Sequence, residues 1–316
     1  MRFSVKIIIF ISMIAVLLTG FEVLSYNEDY SMPVARITHS EIYLTHMDGP
    51  GWIVPLIDKV REEDDSHILL LGDSVARQMF MDLQNINDEV CVVPAIAPFT
   101  MCGQYVLTKL YLENHPDATD VYLVMVPMDD ISTDFTLDYA YQYVVMPLVE
   151  TDTLGLLDGK TIDELEYLFG RNFMKRPIVE RIDGSGLNRK LYLNYIKDHK
   201  KNDYPHTLEE SVYVSYLKKI AALCEENDVN FHFLPGPVPD MSEYHDIVDE
   251  KASEYFAETG LDKMFPDYLG SVRYYPEDMF ADGVHFGGFY EEREQLNKVI
   301  VEMYGYSGLL DSLKLE

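Results

Sequence analysis

Four short runs rich in apolar residues constrain this chain more than any other feature: His67-Ile-Leu-Leu-Leu71, Val90-Cys-Val-Val93, Val121-Tyr-Leu-Val-Met-Val126 and Val229-Asn-Phe-His-Phe-Leu234. A strand wetted on one face alternates apolar and polar residues. His67 to Leu71, ending at Gly72, does not alternate, which is the pattern of a strand covered on both faces in a parallel sheet, and the other three runs read as strands. Helical spacing fills the intervals, over Val75 to Leu83, Gly103 to Leu112 and Leu208 to Glu225. Strand and helix alternating at intervals of roughly thirty residues predict an α/β fold. The expected architecture is a doubly wound, mainly parallel sheet flanked by helices, a three-layer sandwich. Further helical material over Ser242 to Thr259 leads to a strand-and-loop region, Ser271 to Phe289, and a terminal helix from Glu291 to Tyr304. The alternation breaks between about 131 and 205, where Tyr139–Glu150 and Ile162–Phe169 read as helices. That stretch is expected to be a helical insertion within one domain covering residues 26–316, because the α/β pattern resumes after it.

The first 25 residues stand apart. Arg2 and Lys6 precede an uncharged apolar run from Ile7 to Phe21, closed by Glu22. A basic start followed by an apolar core is the layout of an export signal. At ~1.5 Å per residue the run falls short of a hydrocarbon layer of roughly 30 Å, which suits a cleaved signal peptide. An uncleaved membrane anchor also fits, with Phe3, Val5 and the stem of Lys6 extending the run. Both readings stay open. Positive charge before the segment and Glu22, Glu28 and Asp29 after it predict an extracytoplasmic bulk, membrane-anchored or, after cleavage, secreted.

Composition removes several classes. With 25 Lys+Arg against 54 Asp+Glu the formal charge is −29, which repels nucleic-acid backbones and anionic membrane surfaces. A chain with 23 Tyr and 15 Phe is too aromatic for disorder. Cys91, Cys102 and Cys224 are an odd number without CxxC spacing; one pair could bridge in an oxidising space, but buried thiols are expected, with no disulfide framework and no metal site. Arg61 to Asp65, a run of charges, reads as a solvated stretch before the first strand. Gly155-Leu-Leu-Asp-Gly-Lys-Thr161 imitates a phosphate loop, but only three residues separate its glycines where four are needed; it reads as a helix-to-helix turn.

Two motifs carry chemistry. Leu71-Gly72-Asp73-Ser74 closes the first strong strand and opens a helix, the place where open α/β sheets bind ligands. A serine there can act as a nucleophile if a base reaches its hydroxyl; Asp or Ser can equally be a plain helix cap. Near the other end, Asp282-Gly-Val-His285 lies in a loop with Gly283, Gly287 and Gly288. A carboxylate three residues from an imidazole can orient one ring nitrogen and leave the other to accept a proton from Ser74.

With these residues in this order the chain resembles the SGNH (GDSL-like) hydrolase superfamily over roughly 65–130 and 205–305. The resemblance implies Ser74 as nucleophile, His285 as general base and acid, and Asp282 as its orienting partner. It places an oxyanion hole at the Ser74 and Gly103 amides and at position 129. There the family's Gly-x-Asn-Asp is replaced by Pro127-Met-Asp-Asp130, so Asp129 stands where an asparagine donor is expected. A carboxylate only accepts, so either Asp129 is protonated or turned away, or a donor such as Gln104 or Arg77 substitutes, or hydrolysis is feeble. Similar departures occur among envelope-anchored members that resemble the D-alanine transfer protein of teichoic acid modification and polysaccharide O-acetyltransferases. The resemblance therefore implies a serine esterase or O-acyltransferase without cofactor, acting on an acylated envelope or extracellular carbohydrate. The rival reading is a catalytically weak scaffold that assists a membrane acyltransferase partner. Tyr274 and Tyr275 are the candidates for lining the cleft. His232 reads as a satisfied core histidine, and His115 and His245 as surface residues.

Overall fold

The computed structural model describes residues 3–25, 53–81, 88–96, 99–127, 135, 140–169, 207, 210–287, 293–305 and 309–310. In chain order the elements used below are α1 (Phe3–Ser25), β1 (Ile68–Gly72), α2 (Ser74–Phe80), β2 (Val90–Val92), α3 (Thr100–Asn114), β3 (Asp120–Met125), α4 (Gly159–Phe169), α5 (Val212–Glu226), β4 (Asn230–Pro235), β5 (Val238–Pro239), α6 (Ser242–Asp246), β6 (Tyr274–Tyr275) and α7 (Arg293–Tyr304). The chain divides into two compact units, one of Pro55–Thr136 with Pro205–Glu316, the other of Met1–Val54 with Leu137–Tyr204.

The first unit holds the α/β sheet. Its strands lie in the order β2-β1-β3-β4, every neighbour parallel, with Leu70 opposite both Val92 and Tyr122. All five residues of β1 are buried. The chain runs from β1 out to β2, then returns across β1 to β3 and on to β4. Because such crossovers are right-handed, the reversal puts α2 on one face of the sheet and α3 and α5 on the other. Side chains alternate accordingly. Ile68, Leu70, Val92, Tyr122 and Val124 form one buried cluster with Val75, Met79 and Phe80 of α2 and Leu296, Ile300 and Tyr304 of α7. Leu69, Leu71, Val121 and Leu123, pointing the other way, are equally inaccessible. There α3 and α5 pack together, the Tyr105 and Tyr216 rings meeting edge to face at 5.4 Å. Each such Leu or Val contributes roughly 1.5–3 kcal/mol by burial. The double covering explains why β1, β2 and the middle of β3 carry no exposed polar positions, and the α/β class expected from the four runs is the one found.

The same reversal creates a crevice at the C-terminal ends of β1 and β3, the switch point of the sheet. Gly72 ends β1 there. A Cβ at this position would lie 2.3 Å from the Val124 carbonyl oxygen and 2.4 Å from the Ala76 side chain, so only glycine lets β3 and α2 approach this closely.

A second, two-stranded parallel sheet pairs β5 with β6, Val238 opposite Tyr274 and Pro239 opposite Tyr275. Gly236 and Pro237 carry the chain from β4 into β5. His115 corrects one expectation. It is 3% exposed, stacked on Tyr111, with its ring nitrogens at 3.0 Å from the Tyr111 carbonyl and 3.1 Å from Asp64. His232 is half-buried and satisfied, bonded to Asp120 at 2.8 Å and stacked on Tyr122. His245 is partly exposed, bonded to Asp240 and stacked on Tyr274. No disulfide joins the three cysteines, all of them buried, and burial pushes the Cys91 thiol up to about 12.

In the second unit α1 is longer than the apolar run alone suggested, because Phe3 to Lys6 and Glu22 to Ser25 continue the helix. Its 23 residues rise about 34 Å. Apolar side chains face outward all round it, Phe3 at 79% and Val16 at 71% exposure. Counted only on the described residues, no helix is long and apolar enough to cross a membrane. Residues 140–169 are mainly helical, with a π-helical turn at Tyr141–Val145, a helix at Met146–Glu150, a 3-10 turn at Leu154–Leu156 and α4. The false phosphate loop is the connection into α4, where the Asp158 carboxylate accepts from the Thr161 amide at 2.7 Å. The stretch 170–204 lies outside the described residues.

Candidate active site

Ser74 is the first residue of α2, at the mouth of the crevice. Asp73 caps that helix. Its Oδ1 accepts from the amides of Val75 (2.9 Å) and Ala76 (3.1 Å), while its Oδ2 accepts from Val126 beyond the end of β3 (2.7 Å). One carboxylate therefore satisfies two of the helix's orphan donors and ties β3 to the serine turn. Burial raises the Asp73 carboxyl above its ordinary range, and the three amides and the nearby His285 work against that rise. The Ser74 amide has no partner among the described residues, so it remains a donor at the positive end of the helix.

The structure brings Ser74, His285 and Asp282 together. The His285 Nε2 lies 2.8 Å from Ser74 Oγ, and its Nδ1 lies 2.8 Å from Asp282 Oδ1. The same Asp282 oxygen accepts from the His285 amide at 3.2 Å. An ionised carboxylate only accepts, so Nδ1 carries the proton and Nε2 is left to accept from the serine hydroxyl. Burial nudges the Asp282 carboxyl up, but the hydrogen bonds from the His285 ring and amide outweigh it and hold the group below its usual range. Asp282 is 67% exposed and His285 38%, so their mutual attraction is screened by water. Asp282 acts on the ring mainly through orientation.

The loop that carries the pair closes on itself. Ala281 donates to the His285 carbonyl at 2.8 Å and Gly287 to the Met279 carbonyl at 3.0 Å. Phe280 and Phe286 form an antiparallel bridge below the tip, their rings stacked at 5.0 Å. Gly288, also expected in this loop, lies outside the described residues.

The other expected oxyanion donors fare differently. Gly103 is the fourth residue of α3, the first position whose amide bonds within the helix. Its missing side chain makes room for Phe99, whose ring atoms would sit 2.5–2.6 Å from a Cβ. Gly103 thus serves packing, and its position gives no support to a donor role. Gln104 donates to the Gly72 carbonyl at 2.9 Å, bracing the turn into Ser74, while its Oε1 is buried without a partner. Arg77 sits three residues after Ser74 on α2. Asp129 lies outside the described residues.

Beside the loop opens a cavity of about 780 Å³ lined by Pro239, Met241, Tyr244, Phe280, Gly283 and the carboxylates Glu243, Glu277, Asp278 and Asp282. Its aromatic walls are Tyr244 of α6 and Phe280. Tyr274 and Tyr275, expected to line the cleft, are held in β6 instead. Tyr275 is buried with the core, and Tyr274 stacks on His245 at 3.9 Å. Nearness in sequence to the Asp-His loop was the only signal for them, and pairing with β5 decides otherwise. Met241 and Tyr244 gave no signal, since α6 is far from the loop in sequence. Among the described residues no cluster of His, Cys, Asp or Glu is placed to hold a metal ion.

The chain matches no protein-family model, no curated protein and no solved structure.

Proposed function

We propose that the protein is a serine esterase or O-acyltransferase of SGNH type, exported and held at the membrane by α1, acting on an acylated envelope or extracellular carbohydrate. The observation that carries this reading is the chain of two 2.8 Å contacts from Ser74 through His285 to Asp282. In the proposed reaction His285 Nε2 takes the Ser74 proton as Oγ attacks the acyl carbonyl, and Asp282 holds the ring in the competent tautomer. The Ser74 amide supports the developing oxyanion. The protonated ring then gives its proton to the departing alcohol, leaving an acyl-enzyme. Water or a sugar hydroxyl, deprotonated by the same nitrogen, releases the acyl group.

The cavity fits this assignment. Carboxylates accept hydrogen bonds from sugar hydroxyls, and Tyr244 and Phe280 offer faces for a pyranose ring. Among the described residues no Lys or Arg lines it, which disfavours an anionic acyl or acceptor group there. The exposed apolar surface of α1 supports the anchor, because a soluble helix rarely leaves such residues in water on every side.

The decisive experiment is labelling of the folded protein with a fluorophosphonate probe. Modification is expected at Ser74, absent in Ser74→Ala and reduced at least about a thousandfold in rate in His285→Ala. A folded protein left unlabelled would count against the enzymatic reading and leave the scaffold reading in its place.

A further inference from the structure

The serine and the imidazole come from segments 211 residues apart, so something must hold the Asp282–His285 loop in register on α2. Apolar packing supplies the bulk of that attachment. Val284 and Phe286 are 8% and 3% exposed and belong to the same cluster as Val75 and Met79. Such contacts are non-directional and tolerate a shift of several tenths of an ångström. A general base does not, because its proton acceptor has to stay within hydrogen-bond reach of the nucleophile.

One polar contact supplies the missing direction. The Gln78 Nε2 donates to the Phe286 carbonyl at 3.2 Å, and the Phe286 amide donates to Gln78 Oε1 at 3.0 Å. A single carboxamide thus meets both backbone groups of the residue next to His285, in the manner of a paired strand. Two bonds of opposite polarity fix orientation as well as distance. Gln78 stands one helical turn after Ser74, on the same face of α2. The nucleophile and the clamp are therefore mounted on one rigid element, and their targets are adjacent residues of one loop.

We propose that Gln78 is a positioning residue, whose carboxamide clamps the Phe286 backbone and thereby holds the His285 imidazole at the Ser74 hydroxyl. The proposal deepens the serine-nucleophile reading and rests on it for its kinetic consequence. The chemistry of the side chain is specific. Ionised glutamate has the length but no donor for the Phe286 carbonyl, and methionine has the shape with no donor and only a weakly accepting sulfur.

The test uses the full chain with Gln78→Met and Gln78→Glu, alongside wild type and Ser74→Ala. Turnover of p-nitrophenyl acetate is expected to fall about 10- to 100-fold in kcat with KM unchanged, as for a misplaced catalytic group. Independently of turnover, the nitrogen-15 resonances of the His285 ring report whether it still meets Ser74. Ser74→Ala is expected to move them, and both Gln78 variants are expected to move them in the same sense. Wild-type kcat in a folded Gln78→Met protein overturns the proposal, and so does a lowered kcat with the ring resonances unmoved. If Gln78→Met fails to fold, Gln78→Glu carries the same two readouts. Should wild type neither turn over the ester nor react with a fluorophosphonate, the nucleophile reading fails. The ring resonances then still decide the clamp, which stands if they move and falls if they do not.

Discussion

Asp73 shows how a buried charge can be held without an opposite charge in contact. At 3% exposure its carboxylate is out of water, and desolvation pushes its pKa up. Three backbone amides converge on it, two opening α2 and one following β3. Two effects therefore compete when the charge is removed. Asp73→Asn abolishes the cost of burying an anion, yet it turns an NH₂ group toward an amide that can only donate. Unpaired buried donors cost about 1–3 kcal/mol, while the three bonds offset only part of the carboxylate's desolvation, so the variant is expected to be destabilised by about 1 kcal/mol, the low end of that range. Urea denaturation at neutral pH measures this, and an unchanged or raised midpoint would contradict it. The residue's capping role was legible from Gly-Asp-Ser alone, since Asp before a helix is a common cap. Its bond to Val126, 53 residues away, was not, because nothing local to Asp73 encodes where β3 ends.

For the elements, two glycines carry the geometry around the serine. At Gly72 a Cβ would meet the Val124 backbone at 2.3 Å, and backbone cannot yield without parting β1 from β3. At Gly103 it would meet the ring of Phe99, which is fully buried but can tilt. Gly72→Ala is accordingly expected to cost about 3 kcal/mol or more and Gly103→Ala about 1–3 kcal/mol. Comparison of their denaturation midpoints tests the ranking, which a milder effect at Gly72 would reverse. Element type was readable wherever the period was clear. The four runs became β1 to β4, and Val212, Val214, Leu217 and Ile220 form the buried side of α5. The pairing of β5 with β6 was not readable, because each is two residues long and is recognised only by its partner. That pairing turns Tyr275 into the core and leaves Tyr244 and Phe280 to line the cavity.

Over the whole molecule, charge sets the response to acid. Burial would raise the Asp120 carboxyl, but bonds from His232, Thr119 and Asn230 outweigh it and hold it below its ordinary value. A carboxyl depressed by folding stabilises the fold at pH above its unfolded value of about 3.9, and the benefit disappears as pH falls through the folded value. Asp120→Asn is thus expected to melt below wild type at neutral pH, with the two melting curves converging under acid conditions. A gap that persists undiminished at low pH would rule this out. Asp282 follows the same sign, so acid weakens the carboxylate that orients His285 as well. The net charge of −29 adds self-repulsion at neutral pH, which salt relieves.

By itself the sequence determined the parallel α/β architecture, the apolar character of α1 and the two motifs holding Ser74 and the Asp282–His285 pair. These follow from local composition and from the periodicity of apolar residues, which act over a few residues at a time. Tertiary structure decided that the motifs meet at 2.8 Å, that Gln78 clamps the loop beside them and that the cavity is walled by Tyr244 and Phe280. The physical reason is that each of these depends on contacts between segments far apart in the chain. Such distances are set by how the sheet and its helices pack, and no short stretch of residues encodes them.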